Sequence, residues 1–192
     1  MIPPKTKILC VEDDPVSGEL LGRLLEPLGC ELFKAGSGRE ALEVIARENI
    51  DLVLLDVVMP GMDGYEVCKA IKGVERTRNI PVIMITGLIS KEDRIRGIEA
   101  GAEEFLTKPF DATEVLARVK MLLKVKNLNE MRTGKILIEL GLISEPQLQE
   151  ALRISKEKNI KVTVKQIENA NPGLKPERLK VGQKIFIPAP PQ

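Results

Sequence analysis

Asp51-Leu52-Val53-Leu54-Leu55-Asp56 is a nearly uninterrupted apolar run closed by a carboxylate. A central strand of a parallel sheet needs such a run, because helices cover both of its faces. Working outward, three more runs of strand length lead to a polar cluster. Lys7-Ile8-Leu9-Cys10-Val11 precedes Glu12-Asp13-Asp14, Ile80-Pro81-Val82-Ile83-Met84-Ile85 precedes Thr86, and Glu104-Phe105-Leu106 leads to Lys108-Pro109. Parallel strands all point the same way, so these polar ends gather at one edge of the sheet, where ligands bind in such folds.

Between the runs lie amphipathic segments. Pro15 to Leu28 carries Leu20, Leu21, Leu24, Leu25 and Leu28 as a stripe, with Pro15 suited to the first turn. Ser37 opens a second helix, with Glu40 three residues on as in a capping box and Leu42, Val44 and Ile45 following. A third helix spans about Gly64 to Lys72 and a fourth about Lys91 to Ala100. A fifth is capped by Asp111, has Glu114 in its first turn, and runs through Val115, Leu116, Val119, Leu122 and Leu123 toward Leu128. Five alternations of strand and helix predict an α/β fold, a doubly wound five-stranded parallel sheet with right-handed crossovers.

A chain of 192 residues with 43% hydrophobic content has room for one ordinary domain and a small second one. Its composition changes after residue 126. Up to that point there are 18 basic and 21 acidic residues, and beyond it 11 and 7. Residues 127–192 lack aspartate and bring the turn signals Asn171-Pro172-Gly173, Lys175-Pro176 and Pro188-Ala189-Pro190-Pro191. The expected domains are therefore 1–126 and 127–192. The chain has no histidine, which excludes serine-histidine triads and histidine phosphotransfer within it. Cys10 and Cys68 fall on apolar faces and Cys30 opens a strand, a pattern of reduced thiols rather than of a zinc site or disulfide frame. No long apolar leader opens the sequence, and no stretch approaches the ~18 apolar residues of a membrane span. A cytoplasmic protein without membrane insertion is expected.

The polar strand ends make one chemical set. A carboxylate attacking a phosphorus that already carries negative charge needs a divalent cation to offset the repulsion. Magnesium takes hard oxygen ligands and keeps several waters, so one or two carboxylates and a carbonyl suffice. Asp56 is the candidate acceptor, Asp13 and Asp56 the candidate direct carboxylate ligands, and Glu12 a ligand through water. Lys108 can pair with the acceptor and then with phosphoryl oxygens, while the Thr86 hydroxyl can donate to another of them. Gly87 leaves the approach open. A single acid at a strand end is ordinarily just solvated. The set together points to a magnesium-dependent aspartyl phosphate.

Residues 5 to about 126 resemble the receiver domain of bacterial two-component response regulators. Besides the acids, the resemblance rests on Asp56-Val57-Val58-Met59-Pro60-Gly61-Met62-Asp63-Gly64-Tyr65-Glu66 and Gly101-Ala102-Glu103-Glu104-Phe105-Leu106-Thr107-Lys108-Pro109-Phe110. It implies a flavodoxin-like receiver in a phosphorelay, with Asp56 taking a phosphoryl group from the phosphohistidine of a sensor histidine kinase or phosphotransfer protein. It implies Mg2+ held by Asp13, Asp56 and the backbone carbonyl of Val58. It further implies a switch, in which Thr86 moves toward the phosphoryl group and Phe105 rotates inward. That remodels the face of the fourth helix, fifth strand and fifth helix, through which a homodimer also follows by analogy. Many relatives carry tyrosine where this chain has Phe105, so here coupling would rest on packing alone. Lys108-Pro109 resembles the family's cis peptide. Val58 and Leu88, two residues after Asp56 and Thr86, are apolar where polar side chains could orient water, which predicts slow self-dephosphorylation. The chain is expected to be a phosphoacceptor signalling protein, with no enzymatic chemistry beyond self-phosphorylation and self-dephosphorylation.

The tail carries two partial resemblances. Arg132-Thr133-Gly134-Lys135-Ile136-Leu137-Ile138-Glu139-Leu140-Gly141-Leu142-Ile143-Ser144, followed by Leu148 and Leu152, is similar to the first repeat in the N-terminal domain of type II secretion and type IV pilus assembly ATPases. Some of those bind cyclic di-GMP through two tandem copies. Here Thr133 replaces a leucine, Ser155 stands where glutamine is expected, and no second copy follows. From the residues alone, the segment reads as a strand or helix turn leading into an amphipathic helix from Glu145 to Lys158. From about residue 160, Val162 to Leu174 and Leu179 to Pro188 look like the later part of a LysM module, without its first strand. Such modules bind N-acetylglucosamine chains of peptidoglycan or chitin. The tail is therefore read as a small α+β output or docking module, and the chain as a regulator acting through protein contact. Two alternatives stand beside this: a DNA-binding transcriptional regulator, or a regulated binder of peptidoglycan-type sugar or cyclic di-GMP. The tail is basic, but it shows no helix-turn-helix with an arginine-rich second helix, which argues against nucleic acid.

Overall fold

The computed structural model describes residues 6–87 and 90–139. The chain divides into two compact units, Met1–Lys126 and Asn127–Gln192. In the first, β1 (Lys7–Val11), β2 (Glu31–Ala35), β3 (Leu52–Asp56), β4 (Val82–Thr86) and β5 (Glu104–Thr107) form one parallel sheet in the order β2-β1-β3-β4-β5. The helices between them are α1 (Pro15–Leu25), α2 (Gly38–Arg47), α3 (Gly64–Gly73) and α4 (Lys91–Glu99), with α5 (Ala112–Glu139) after β5. This is the doubly wound α/β sheet expected from the sequence.

The period of two along each strand sorts side chains into two cores. Leu9, Val11, Val53, Leu55, Val82 and Met84 pack with Ala41, Val44 and Ile45 of α2 and Tyr65, Val67, Cys68 and Ile71 of α3. Their alternates Ile8, Cys10, Leu52, Leu54, Ile83 and Ile85 pack with Leu21 and Leu25 of α1 and Val115, Val119, Leu122 and Leu123 of α5. All residues of β3 and β4 are buried, as central strands require. The strand order reverses between β1 and β3, and that crevice is where a site is built.

Local chemistry explains where elements end. The first helix stops at Leu25 and tightens into a 3-10 turn, Glu26–Leu28, rather than running as one helix to Leu28. Pro27 has no N–H to continue the ladder, and Gly29 closes the turn at φ 62°. Ser37 caps α2 by accepting from the Glu40 amide, but Glu40 reaches back to the Gly36 amide at 2.7 Å, so the expected capping box is replaced by a wider loop. The complete box is at α3, where Asp63 accepts from the Glu66 amide and Glu66 from the Asp63 amide. Asp111 accepts from the Glu114 amide at 2.9 Å at the start of α5. That helix passes Leu128 and continues to Glu139, so of the strand or helix turn expected from Arg132, the helical alternative is found up to Glu139. Leu88 and the segments expected at 145–158 and from about 160 lie outside the described residues.

Candidate functional site

The C-terminal ends of β1, β3, β4 and β5 bring the expected residues together. Asp56 is the last residue of β3 and is buried. Glu12 directly follows β1, and its amide donates to the Ala35 carbonyl at 3.0 Å, which prolongs the strand pairing and fixes the acid inward. Thr86 ends β4 and pairs in register with Thr107, one residue before Lys108. The Lys108 amide donates to the Thr86 carbonyl at 2.8 Å, and the Lys108–Pro109 bond is cis.

The three consecutive acids after β1 have three different surroundings. Glu12 is buried and accepts from Lys108 Nζ at 2.8 Å. Asp13 is exposed, and its carboxylate joins those of Glu12 and Asp56 in a cluster whose oxygens lie within 4.8 Å of one another. Asp14 instead caps α1, accepting from the Ser17 amide at 3.0 Å and the Ser17 hydroxyl at 2.6 Å. Those bonds hold the Asp14 carboxyl below its ordinary range. Sequence alone could not divide these roles, although an aspartate immediately before a proline that opens a helix is a cap signal.

Lys108 Nζ also donates to Asp56 Oδ2 at 2.7 Å, and the Val58 amide donates to Asp56 Oδ1 at 3.2 Å. Burial works against the Lys108 charge, but its bonds to Asp56 and Glu12 outweigh that and raise its pKa. Burial pushes Glu12 up from the ordinary glutamate value, with Lys108 pulling it back and Asp56 adding to the rise. One lysine thus pairs with two carboxylates while the third, Asp13, stands beside them, leaving net negative charge at the site. Two oxygens on one magnesium ion lie at most ~4.2 Å apart. A cluster within 4.8 Å, with an exposed member free to adjust, fits that ion with waters filling its shell.

Phe105 is half-buried on β5, packed against the core shared with Met84 and Ala100. Its ring lies against the backbone of α4, where a Cβ on Gly97 would stand only 2.4 Å from it. Arg94 covers the ring at 5.7 Å. A groove of about 430 Å³ between α1 and β2 lies elsewhere, lined by Gly22, Leu25, Cys30 and Leu32 and by none of the site residues.

The response regulator receiver domain family matches residues 8–120, and the LysM domain family matches residues 153–188. The LysM match begins nine residues before Val162, ahead of the segment that carries the resemblance in the sequence. The chain is 40% identical over 118 residues to the DNA-binding dual master transcriptional regulator RpaA of Synechocystis sp., covering 62% of this chain and 49% of that one. It spans 26% of the length of the response regulator PleD of Caulobacter vibrioides and 65% of that of the response regulator MprA of Mycobacterium sp.. Among solved structures, a putative response regulator from Chloroflexus aurantiacus aligns with a TM-score of 0.60 and 38% identity, covering 62% of this chain and 98% of that one. The receiver domain of a sensor histidine kinase from Pseudomonas aeruginosa, with a magnesium ion coordinated in its active-site cleft, aligns at 0.59 and 29% identity, covering 62% of this chain and 98% of that one. Sheet order, acid cluster and the match over residues 8–120 agree, and the chain belongs to the response regulator receiver family.

Proposed function

We propose that this chain is a response regulator whose Asp56 accepts a phosphoryl group from a phosphohistidine on a sensor histidine kinase or phosphotransfer protein. The observation that carries the reading is the charge surplus around Lys108, one ammonium held by two buried carboxylates with a third beside them. In the transfer the phosphorus–nitrogen bond breaks with its electron pair returning to the imidazole, and a phosphorus–oxygen bond to Asp56 forms. Asp13, Asp56 and the Val58 carbonyl would hold Mg2+, with Glu12 acting through water. When bound, the ion offsets the repulsion between carboxylate and phosphoryl oxygens. Lys108 gives up part of its bond to Asp56 and follows the new negative charge, while the Thr86 hydroxyl donates to a second phosphoryl oxygen.

The output is a population shift of the α4–β5–α5 face through Thr86 and Phe105, controlling protein–protein contact. Exposed Ile95 and Ile98 on α4 and Met121 and Val125 on α5 support this face as a docking surface for a downstream protein or a second copy. Among the described residues no helix is long and apolar enough to cross a membrane.

The test is backbone amide spectroscopy of the full chain with magnesium and beryllofluoride, a phosphoryl mimic, on wild type and Asp56→Asn. Shifts around Asp56, Thr86 and Phe105 in wild type alone are expected, and no wild-type shift would sink the assignment. The domain division at 126 predicts that tail resonances respond only if the receiver controls them. The match over 153–188 favours one second reading, a regulated binder of peptidoglycan-type sugar through the tail. Pull-down on peptidoglycan with and without the mimic tests it, and calorimetry with cyclic di-GMP tests the ATPase-repeat resemblance. A salt-dependent mobility shift with duplex DNA would revive the transcriptional reading.

A further inference from the structure

The loop that floors the acid site, residues 57–63, is tied at both ends. The Val57 amide donates to the Ile85 carbonyl at 3.0 Å, and the Gly64 amide donates to the Val57 carbonyl at 3.0 Å. Between these ties Gly61 turns the chain at φ 80°, and the Val58 amide bonds the acceptor carboxylate. Gly64 is the first residue of α3, and the capping box of Asp63 and Glu66 secures that first turn.

A Cβ on Gly64 would stand 2.3 Å from the carbonyl oxygen of Asp56 and 2.8 Å from the Cα of Val57. Both are backbone atoms, which cannot swing aside as a side chain can. Among the described glycines this is the only one whose added carbon would strike backbone at such distances. Gly38 would strike the side chains of Val67 and Met62, and Gly73, in the same helix as Gly64, would meet nothing within 4 Å.

We propose that Gly64 is a positioning residue for phosphoryl transfer: by letting the first turn of α3 rest on the backbone of Asp56 and Val57, it sets the acceptor carboxylate and the Val58 carbonyl at the spacing a magnesium ion needs. The inference rests on Asp56 being the phosphoacceptor. A side chain at position 64 must push α3 and the acceptor apart, and errors of about 1 Å in such constellations cost ~100-fold in rate.

Four full-length proteins are compared: wild type, Asp56→Asn, Gly64→Ala and Gly38→Ala. Each is assayed for unfolding by urea, for magnesium affinity by amide shifts, and for phosphorylation by acetyl phosphate. Gly64→Ala is expected to bind magnesium more weakly and to be phosphorylated about 10- to 100-fold more slowly. Gly38→Ala, crowded between side chains, is expected to lose stability while keeping wild-type magnesium affinity. Equal losses of affinity in the two glycine variants, or none in Gly64→Ala, would overturn the inference while leaving the acceptor assignment intact. Failure of wild type to take up phosphoryl, or uptake by Asp56→Asn, would overturn the acceptor assignment and the inference with it. If Gly64→Ala does not fold, Asp63→Ala, which keeps the glycine but loosens the turn that seats it, carries the test. Weaker magnesium binding supports the inference, and unchanged binding overturns it.

Discussion

At the C-terminal edge of the sheet one lysine, Lys108, pairs with two carboxylates, Glu12 and Asp56, and a third, Asp13, lies beside them. At the N-terminal edge two lysines, Lys7 and Lys126, meet two carboxylates, Glu48 and Asp51. Lys126 Nζ donates to the Asp51 carboxylate and to the Asp51 carbonyl, the Lys7 amide donates to the same carboxylate at 3.0 Å, and Lys7 Nζ pairs with Glu48 at 2.6 Å. The two clusters are made of the same side-chain types but are enclosed differently: Glu12 and Asp56 are 3% and 6% exposed, Glu48 and Asp51 34% and 33%. Lys126 is in fact the better buried lysine, at 8% side-chain exposure against 30% for Lys108. The C-terminal edge buries these two acids and the N-terminal edge its lysines, and the two differ in charge balance as well. The N-terminal cluster closes on itself and ties α5 to the foot of β3. The C-terminal cluster keeps an excess of negative charge, and the proposed cation site and phosphoacceptor rest on that surplus.

The comparison breaks most visibly at the two aspartates that flank the apolar run of β3, Asp51 just before the strand and Asp56 at its end. Asp56→Asn is expected to abolish phosphoryl uptake from acetyl phosphate in magnesium, and Asp51→Asn to leave it intact, as read by intact mass. A phosphorylated Asp56→Asn protein would dissolve the distinction between the edges. In stability the order reverses. Lys126→Met should cost about 1–3 kcal/mol in urea unfolding, because it strips the partner from a part-exposed carboxylate and breaks the tie to β3, while magnesium affinity stays at the wild-type value.

A smaller effect sharpens the idea of surplus charge. Asp13→Asn removes one of three crowded carboxylates and should raise the stability of the metal-free protein by up to about 1 kcal/mol. Magnesium should then raise the melting temperature of wild type more than that of the variant. The weakest signal comes from between the edges. Burial pushes the Cys10 thiol up to about 12 and the Cys68 thiol up to about 11, and raises Cys30 as well. At pH 8 all three are held as thiols more firmly than a free cysteine. Alkylation of the native protein should reach only the half-buried Cys30, slowly, and speed up as pH rises toward and past 9. Labelling of Cys10 or Cys68 without unfolding would contradict their placement in the two cores.

Much of the site was legible in the sequence, because each of its residues terminates a strand and strand ends are written in hydrophobic period. The run 51–56 needed helices on both faces, and once it was central the other runs had one direction to take. Asp56, Glu12, Asp13, Thr86 and Lys108 followed from that. What was misread depended on local hydrogen-bond competition. Glu40 was expected to close a box on Ser37 and bonds Gly36 instead, while the box Asp63 and Glu66 form was not read from a spacing that announces it. Pro27 interrupts the leucine stripe that overruns it. Of the strand or helix turn left open for Arg132 to Glu139, the helix is found, because those residues extend α5.

By itself the sequence determined the sheet, its central strand, and the edge at which five polar residues gather, since apolar period and strand polarity are properties of the chain read in one dimension. Only the tertiary structure decided which of Glu12, Asp13 and Asp14 is buried, shared or spent on a cap. It alone showed that Asp51 is neutralised by Lys126 from 75 residues away while Asp56 is left in a negative surplus, and that a Cβ on Gly64 would strike the backbone of Asp56. These depend on distances between residues far apart in the chain, and Coulomb energy and steric contact are set by those distances, not by composition or order.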